Sequence, residues 1–530
     1  MGRTTQAQED SRSGSPDRSP AATLARIPAA AILACGLVAH AGDATAQTAV
    51  CSDAPAAGER VECTEDSTST DDIDILLEGV DIDVAATAIN THAVSARHDG
   101  SGDIDIDVTG GVDESGQAVR SAIDTSGVPQ AYAVHGWHNG AGAVDIAVSG
   151  TTIRTTGRTG QAVHGLHHGT GRILLDVSDT DIRTTAKDGS GIYARHYSTD
   201  TEEGANANVS IEASSSKIVT EGQSAYGIWG ASAGLGDVRI TTTSNAVTTK
   251  GRYAAGIFGY HRGEGDLFVT STHDRIVTEN DEDDDAGIAI GIHGWHQLGN
   301  GDANVRVVGG YVRTAGTLAP GIVGQHARSG YVPVTTRGAV NVDVENSVIE
   351  TTGRQGHGVL VRHAGHGAVR VATSGVSRIT TTGADAHGIV TYHAGTGSDR
   401  SMRVTVGGSV EAKGAGADGV HVGRAASGNA DRAAAFDGDG YRKQTVTVNG
   451  RIDSARGAGV FLAGGGKVFI GPSGRIDADS GVAILATGDS PGDSPEGPAV
   501  KPKLLVGMQP FSARAGSSTM VARPPSWSMT

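Results

Sequence analysis

The chain has 530 residues, 79 of them glycine, with 59 acidic against 42 basic side chains and a formal charge of −17. That acid excess argues against a nucleic-acid partner, because phosphate recognition needs clustered Lys and Arg. Aromatics make up only 4%, while Thr, Val, Ile and Asp abound, a composition of short strands and tight turns rather than helices.

At the N-terminus, Arg18 and Arg26 precede the apolar stretch "IPAAAILACGLVAHA", followed by "ATA" at 44–46. This order is that of an export signal, with cleavage expected after Ala46. "ILAC" at 32–35 partly matches a lipoprotein box, but the apolar core runs on past Cys35. No later apolar run approaches the ~20 residues of a spanning helix, so the mature chain is expected to have no such segment. Segment 47–72 holds Cys51 and Cys63. In an oxidising compartment the expectation is a small disulfide loop.

From residue 73 to 487 the chain repeats. "YAVHGWHNGAG", "QAVHGLHHGTG", "AGIFGYHRGEG" and "IGIHGWHQLGNG" align on their last histidine. The aligned positions are His98, His138, His167, His196, His261, His296, His326, His363 and His393, with Ser232 and Arg424 taking the place in two further copies. The short spacings, 167 − 138 = 29 and 196 − 167 = 29, set the unit, and longer ones carry insertions. A period of this size marks a stacked repeat architecture.

Each unit holds three β patterns. The first is apolar-x-small-x-His. After a Gly-x-Gly turn comes an alternating strand such as "DIDIDV" or "AVDIAV". The third is Ile or Val followed two residues later by Thr, as in "TIRTTG" and "RITTTG". Alternation puts aliphatics on one face and Asp, Arg and Thr on the other, and glycine at the corners is expected to supply turn angles. Three strands per turn of ~30 residues predict an all-β fold, a right-handed parallel β-helix (solenoid) of roughly a dozen coils.

The aligned histidines share the inward face, so stacked coils should build a structural ladder of neutral rings bonded to turn backbone. A metal or proton ladder is the alternative, but ligation needs convergent nitrogens ~2.0–2.1 Å from the ion rather than parallel rings. His293 and His296 lie an odd offset apart and point to opposite faces. Neither a metal site nor a cofactor is expected. The outward face of the same strand carries Trp137, Tyr193, Trp229, Phe258, Tyr260, Trp295 and Tyr392, interleaved with His135, His164, His293 and His421. This stripe is the candidate ligand-binding surface, with stacking between coils as the structural alternative.

Other motifs carry less. The Asp-rich strands lack the nine-residue period of calcium rolls, and "ENDEDDDAG" reads as a solvated loop. "GASAG" and "GDSPG" match G-x-S-x-G without the strand–turn–helix context of a nucleophile elbow, so no catalytic residue is assigned. Outward Asp residues leave an extracellular polysaccharide lyase or hydrolase as the alternative function.

The signal region, the short Cys-bounded segment and the I-x-T-x-G-x-x-A-x-G-I-x-x-x-H-x-G-x-G-x-V-x-V grammar together resemble an autotransporter passenger domain of the type V secretion proteins of Gram-negative bacteria. The resemblance implies an exported chain, at the cell surface or extracellular when a translocator is present and otherwise periplasmic. It implies a non-enzymatic adhesive role with glycans or cell-surface proteins as partners. The family's outer-membrane barrel is not matched. A Pro/Gly/Asp-rich linker (488–503) leads into a tail (504–530) of altered composition, ending in Thr530 rather than an aromatic. The expectation is a disordered, out-of-frame tail from an interrupted gene; a barrel-less secreted or periplasmic β-helix is the other reading.

Overall fold

Strict inside–outside alternation along each strand determines how this chain folds. In Ile104–Thr109 and Val144–Ser149 every second residue is buried, and the intervening ones face outward. Such a strand needs an apolar surface opposite it, and neighbouring coils supply one.

The structure, a computed structural model, describes residues 61–65, 69–78, 81–83, 92–113, 115–128, 130–197, 207–279, 288–326, 336–393, 401–423, 444–463, 466–479, 481–487 and 504–508. The expected signal segment, Cys51, Arg424 and the 488–503 linker lie outside them, and the Cys63 side chain is not among the described side chains. The chain is all-β. Among the described residues there are two sheets of 14 strands and one of 13, and consecutive strands of the chain pass from sheet to sheet in turn. This is a parallel β-helix. One antiparallel hairpin, Gly111–Val112 with Ala118–Val119, sits in the longest repeat interval.

Register follows the repeat. His138 pairs with His167 and His167 with His196, position for position. At the ends, Val61–Glu65 pairs with Val94–His98, and Leu504–Met508 pairs with Gly466–Ile470. Rod strands therefore occur within both the 47–72 segment and the 504–530 stretch.

The core runs along the axis. Ile153, Ile182, Ile218, Val247, Ile276 and Val312 stack in one fully buried column. Each buried aliphatic contributes roughly 1.5–3 kcal/mol, and because each coil touches mainly its neighbours, stability adds along the rod. No helix among the described residues is long and apolar enough to cross a membrane.

Some corner glycines supply turn angles as expected, with positive φ at Gly150, Gly299, Gly309 and Gly375, but others serve a different purpose. A Cβ on Gly140 would lie 1.5 Å from the carbonyl oxygen of Gly100, and one on Gly142 would lie 2.0 Å from that of Gly102. Neither has a positive φ. Gly140 and Gly142 are needed because successive coils touch there, not for turn angles. At the turn four beyond the inward threonine, the left-handed position is held largely by other residues: Thr159, Asp188, Ser224, Tyr253, Leu318 and Gln355. The threonine clamps that turn, as when Thr155 Oγ1 donates to the carbonyl of Gly160 at 2.9 Å.

Candidate functional site

The first sheet, running from Val61–Glu65 to Ile484–Thr487, carries the histidine-rich positions on both faces. Its inward corner forms a ladder. Rings of His98, His138, His167 and His196 stack at 4.7–5.0 Å, within 7° of parallel. Rings of His261, His296, His326, His363 and His393 stack at 4.7–4.9 Å, within 9°. Ser232 separates the two runs, in register with His196 and His261.

Most of the ladder's nitrogens are tied to backbone, though His296 Nδ1 has no hydrogen-bond partner and His326 Nδ1 faces Thr336 Oγ1. His138 Nε2 lies 2.7 Å from the carbonyl oxygen of Gly102 in the preceding coil, and its Nδ1 accepts the amide of Gly140 at 2.9 Å. His167 repeats this with Gly142 and Gly169, and His363 with Gly338 and Gly365. That pattern assigns the neutral Nε2–H tautomer. Burial, ahead of repulsion from neighbouring rings, pushes His167 and His296 down to about 3. Burial also brings His196 and His326 to about 4. His138, His167 and His363, bonded at both nitrogens, have no lone pair left for an ion and act as structural groups.

The outer face differs from a freely exposed stripe. Trp137, Tyr193, Trp229, Tyr260 and Trp295 are half-buried, whereas Phe258 and Tyr392 are buried. The interleaved His135 and His164 are buried too, stacked on one another at 4.7 Å. The cover comes partly from a corner column ahead of each strand. Tyr132 packs against His135 at 4.8 Å and His164 at 4.4 Å, and Tyr226 packs against Phe258 at 5.3 Å. Sequence alternation assigned the strand's faces but gave no sign that this column folds back over them.

Ring contacts join the stripe from His164 through Tyr193, Trp229, Phe258 and His293 to Trp295. Tyr260 stands edge-on to Trp295 at 5.3 Å. Trp137 lies under the Arg97 guanidinium, 4.8 Å from the ring centre, and donates Nε1–H to Asn139 at 2.8 Å. Tyr392 lies farther along, past an aliphatic patch of Val323, Leu360 and Val390. Several buried polar atoms along the joined rings have no hydrogen-bond partner: His135 Nδ1, His164 Nδ1, Trp229 Nε1, His293 Nε2 and Trp295 Nε1. Leaving such an atom unpaired costs about 1–3 kcal/mol.

Beyond Tyr392 the same face holds a cluster that sequence reading missed. His387 and Asp418 occupy the corner column of successive coils, and His421 lies on the strand beside them. Asp418 Oδ2 is 2.8 Å from His421 Nδ1 and 3.4 Å from His387 Nδ1. Burial first, then the neighbouring imidazoles of His421 and His357, hold His387 down at about 3. The available signal was His, His, then Asp before the Gly that opens three successive repeats, at His357, His387 and Asp418.

The Asp residues beside the Gly-x-Gly turns are largely accounted for by backbone bonds. Asp103 accepts the amide of Ala143 at 2.6 Å, Asp266 that of Asp302 at 2.8 Å, and Asp302 that of Ala339 at 2.7 Å. The second sheet is different near its start. Asp74, Asp105 and Asp145 stand directly opposite one another on adjacent strands. Loss of surrounding water, and then the carboxylates of Asp145, Asp74, Asp103 and Asp72, push Asp105 up to about 6. Asp105 sits on the exposed face, so the crowding of like charges is the better physical account of that rise.

Comparisons with protein-family models, curated proteins and solved structures give no match to this chain.

Proposed function

We propose that the chain is an exported, autotransporter-like passenger whose rod displays the outer face of the first sheet as an adhesive surface for extracellular glycan or cell-surface protein. The observation that carries this reading is the run of half-buried rings gathered on one outer face, Tyr193 against Trp229 at 4.1 Å and Tyr260 edge-on to Trp295 at 5.3 Å. A glycan laid along the stripe would stack its apolar C–H faces on the exposed parts of these rings. The half-buried indoles of Trp137 and Trp295 would then supply contact area at little entropic cost.

The test is binding of the full chain to a glycan panel and to cells, with Trp137→Ala combined with Trp295→Ala. Binding should fall at least tenfold while the melting temperature changes by only a few degrees. Unchanged binding removes the stripe from consideration.

A second reading, an extracellular polysaccharide lyase or hydrolase, draws on Asp105. A carboxyl pushed up to about 6 beside other carboxylates has the pairing that general acid–base chemistry on glycans uses. It expects polysaccharide turnover that Asp105→Asn abolishes, and a substrate panel without turnover counts against it.

A further inference from the structure

We propose that His387, Asp418 and His421 form a binding site for a divalent transition-metal ion of the zinc class. One ligand atom from each of the three lies within 4.8 Å of the others. Ligands bound ~2.0–2.1 Å from a common ion stand roughly 3–3.5 Å apart, and the distances from Asp418 Oδ2 to the two imidazoles, 2.8 and 3.4 Å, are close to that spacing. Two imidazoles and one carboxylate suit zinc, cobalt, nickel or copper. Calcium takes six to eight oxygens, which this set does not offer.

The surroundings are built as a metal site's would be. Asp418 is buried, and among the described residues its ion-pair partners are the two histidines alone. Its other oxygen, Oδ1, accepts the amide of Ala458 at 2.7 Å, which orients the carboxylate and leaves Oδ2 toward the imidazoles. Phe461 stacks on His421 at 4.5 Å and fixes that ring. A buried carboxylate in such a place needs compensating positive charge, and a divalent ion supplies it.

The ladder makes the contrast plain. His138, His167 and His363 spend both nitrogens on backbone, whereas His421 Nδ1 bonds Asp418 Oδ2, and His387 Nδ1 lies 3.4 Å from that same oxygen while accepting a backbone amide. The ion must displace two internal bonds. It replaces the Nδ1 proton that His421 donates to Asp418, and it takes the His387 Nδ1 that now accepts the Asp418 amide at 2.8 Å. Three protein ligands leave a further position for water or an added ligand.

The experiment uses the full chain without a histidine tag, stripped with chelator and titrated with zinc by calorimetry. One ion per chain is expected. Asp418→Asn and His421→Gln should each weaken binding at least about 100-fold, more than an outer-shell change usually does. His138→Ser, in the ladder, should leave binding unaltered. Equal binding by wild type and both variants, or no binding by wild type, overturns the site. Should either variant fail to fold, pulsed EPR of the Cu²⁺-loaded wild-type chain decides: two directly coordinated imidazole nitrogens are expected, and none or one refutes the assignment.

Discussion

His167 reaches back a full coil to Gly142, its Nε2 2.7 Å from that carbonyl oxygen, while Nδ1 accepts the Gly169 amide at 2.9 Å. The ring thus staples one coil to the next, and it can do so only as a neutral imidazole. Protonation would place a second proton at Nδ1, facing an N–H donor, inside a stack of like rings.

Acid should therefore loosen the rod. The folded-state values of His167, His196, His296 and His326, about 3 to 4, lie below the ordinary histidine value of 6.5. For a base held down by folding, the stabilisation is complete above 6.5 and is lost as pH falls from there through the folded value. Each such histidine steepens the loss by up to about 1.4 kcal/mol per pH unit. Urea midpoints should be level above pH 7 and fall between pH 6.5 and 4. A midpoint unchanged across that window would show that the ladder does not couple to protons.

Ser232 indicates which part of the histidine's role matters most. Its Oγ donates to the Ala207 carbonyl at 3.1 Å and accepts the Gly234 amide at 3.3 Å, copying both imidazole bonds with one atom. At His363, which bonds Gly338 and Gly365, serine should therefore be better tolerated than alanine. Alanine leaves both backbone groups unpaired, so His363→Ala should cost about 1–3 kcal/mol more than His363→Ser. Equal melting temperatures for the two variants would assign the stabilisation to ring stacking instead.

Much of this was legible in the residues. Period-two alternation specified the strands, the interval near 29 specified the coil, and the last histidine of each repeat specified register, because all three are local consequences of stacking. The stripe was legible only in part. Alternation says that Trp229 and Phe258 leave the core, but how covered they become depends on Tyr226, a corner residue outside the strand pattern. His387 and Asp418 escaped for the same reason: they precede their strands, where no alternation rule applies, and they meet His421 only because the corner folds toward the sheet. The turn-angle expectation missed Gly140 and Gly142 because sequence does not reveal that a neighbouring carbonyl lies where a Cβ would go.

The inward threonine offers a clean probe of the turn. Thr155 is fully buried, and its hydroxyl donates to Gly160 across the left-handed turn at Thr159. Thr155→Val keeps the volume and removes the donor. Loss of one buried bond predicts about 1–2 kcal/mol of destabilisation by urea unfolding, with the denaturant slope unchanged. A neutral result would mean that the turn is held by its backbone bonds alone, such as Gly160 to the Gly157 carbonyl.

Asp105 should behave oppositely to the ladder. It faces Asp74 on one side and Asp145 on the other, and Asp145 pairs with Arg172 at 2.6 Å. An acid whose folded value is raised to about 6 weakens the fold when ionised. That penalty is full above pH 6 and disappears as pH falls toward the ordinary carboxylate value. Asp105→Asn should therefore stabilise the rod at pH 7, by no more than about 1 kcal/mol at an exposed site, and give no gain at pH 4. A gain of the same size at both pH values would point to side-chain shape rather than charge. A gain at pH 7 alone would show that the carboxylate column is kept at an electrostatic cost, which is where the hydrolase reading would then have to be tested.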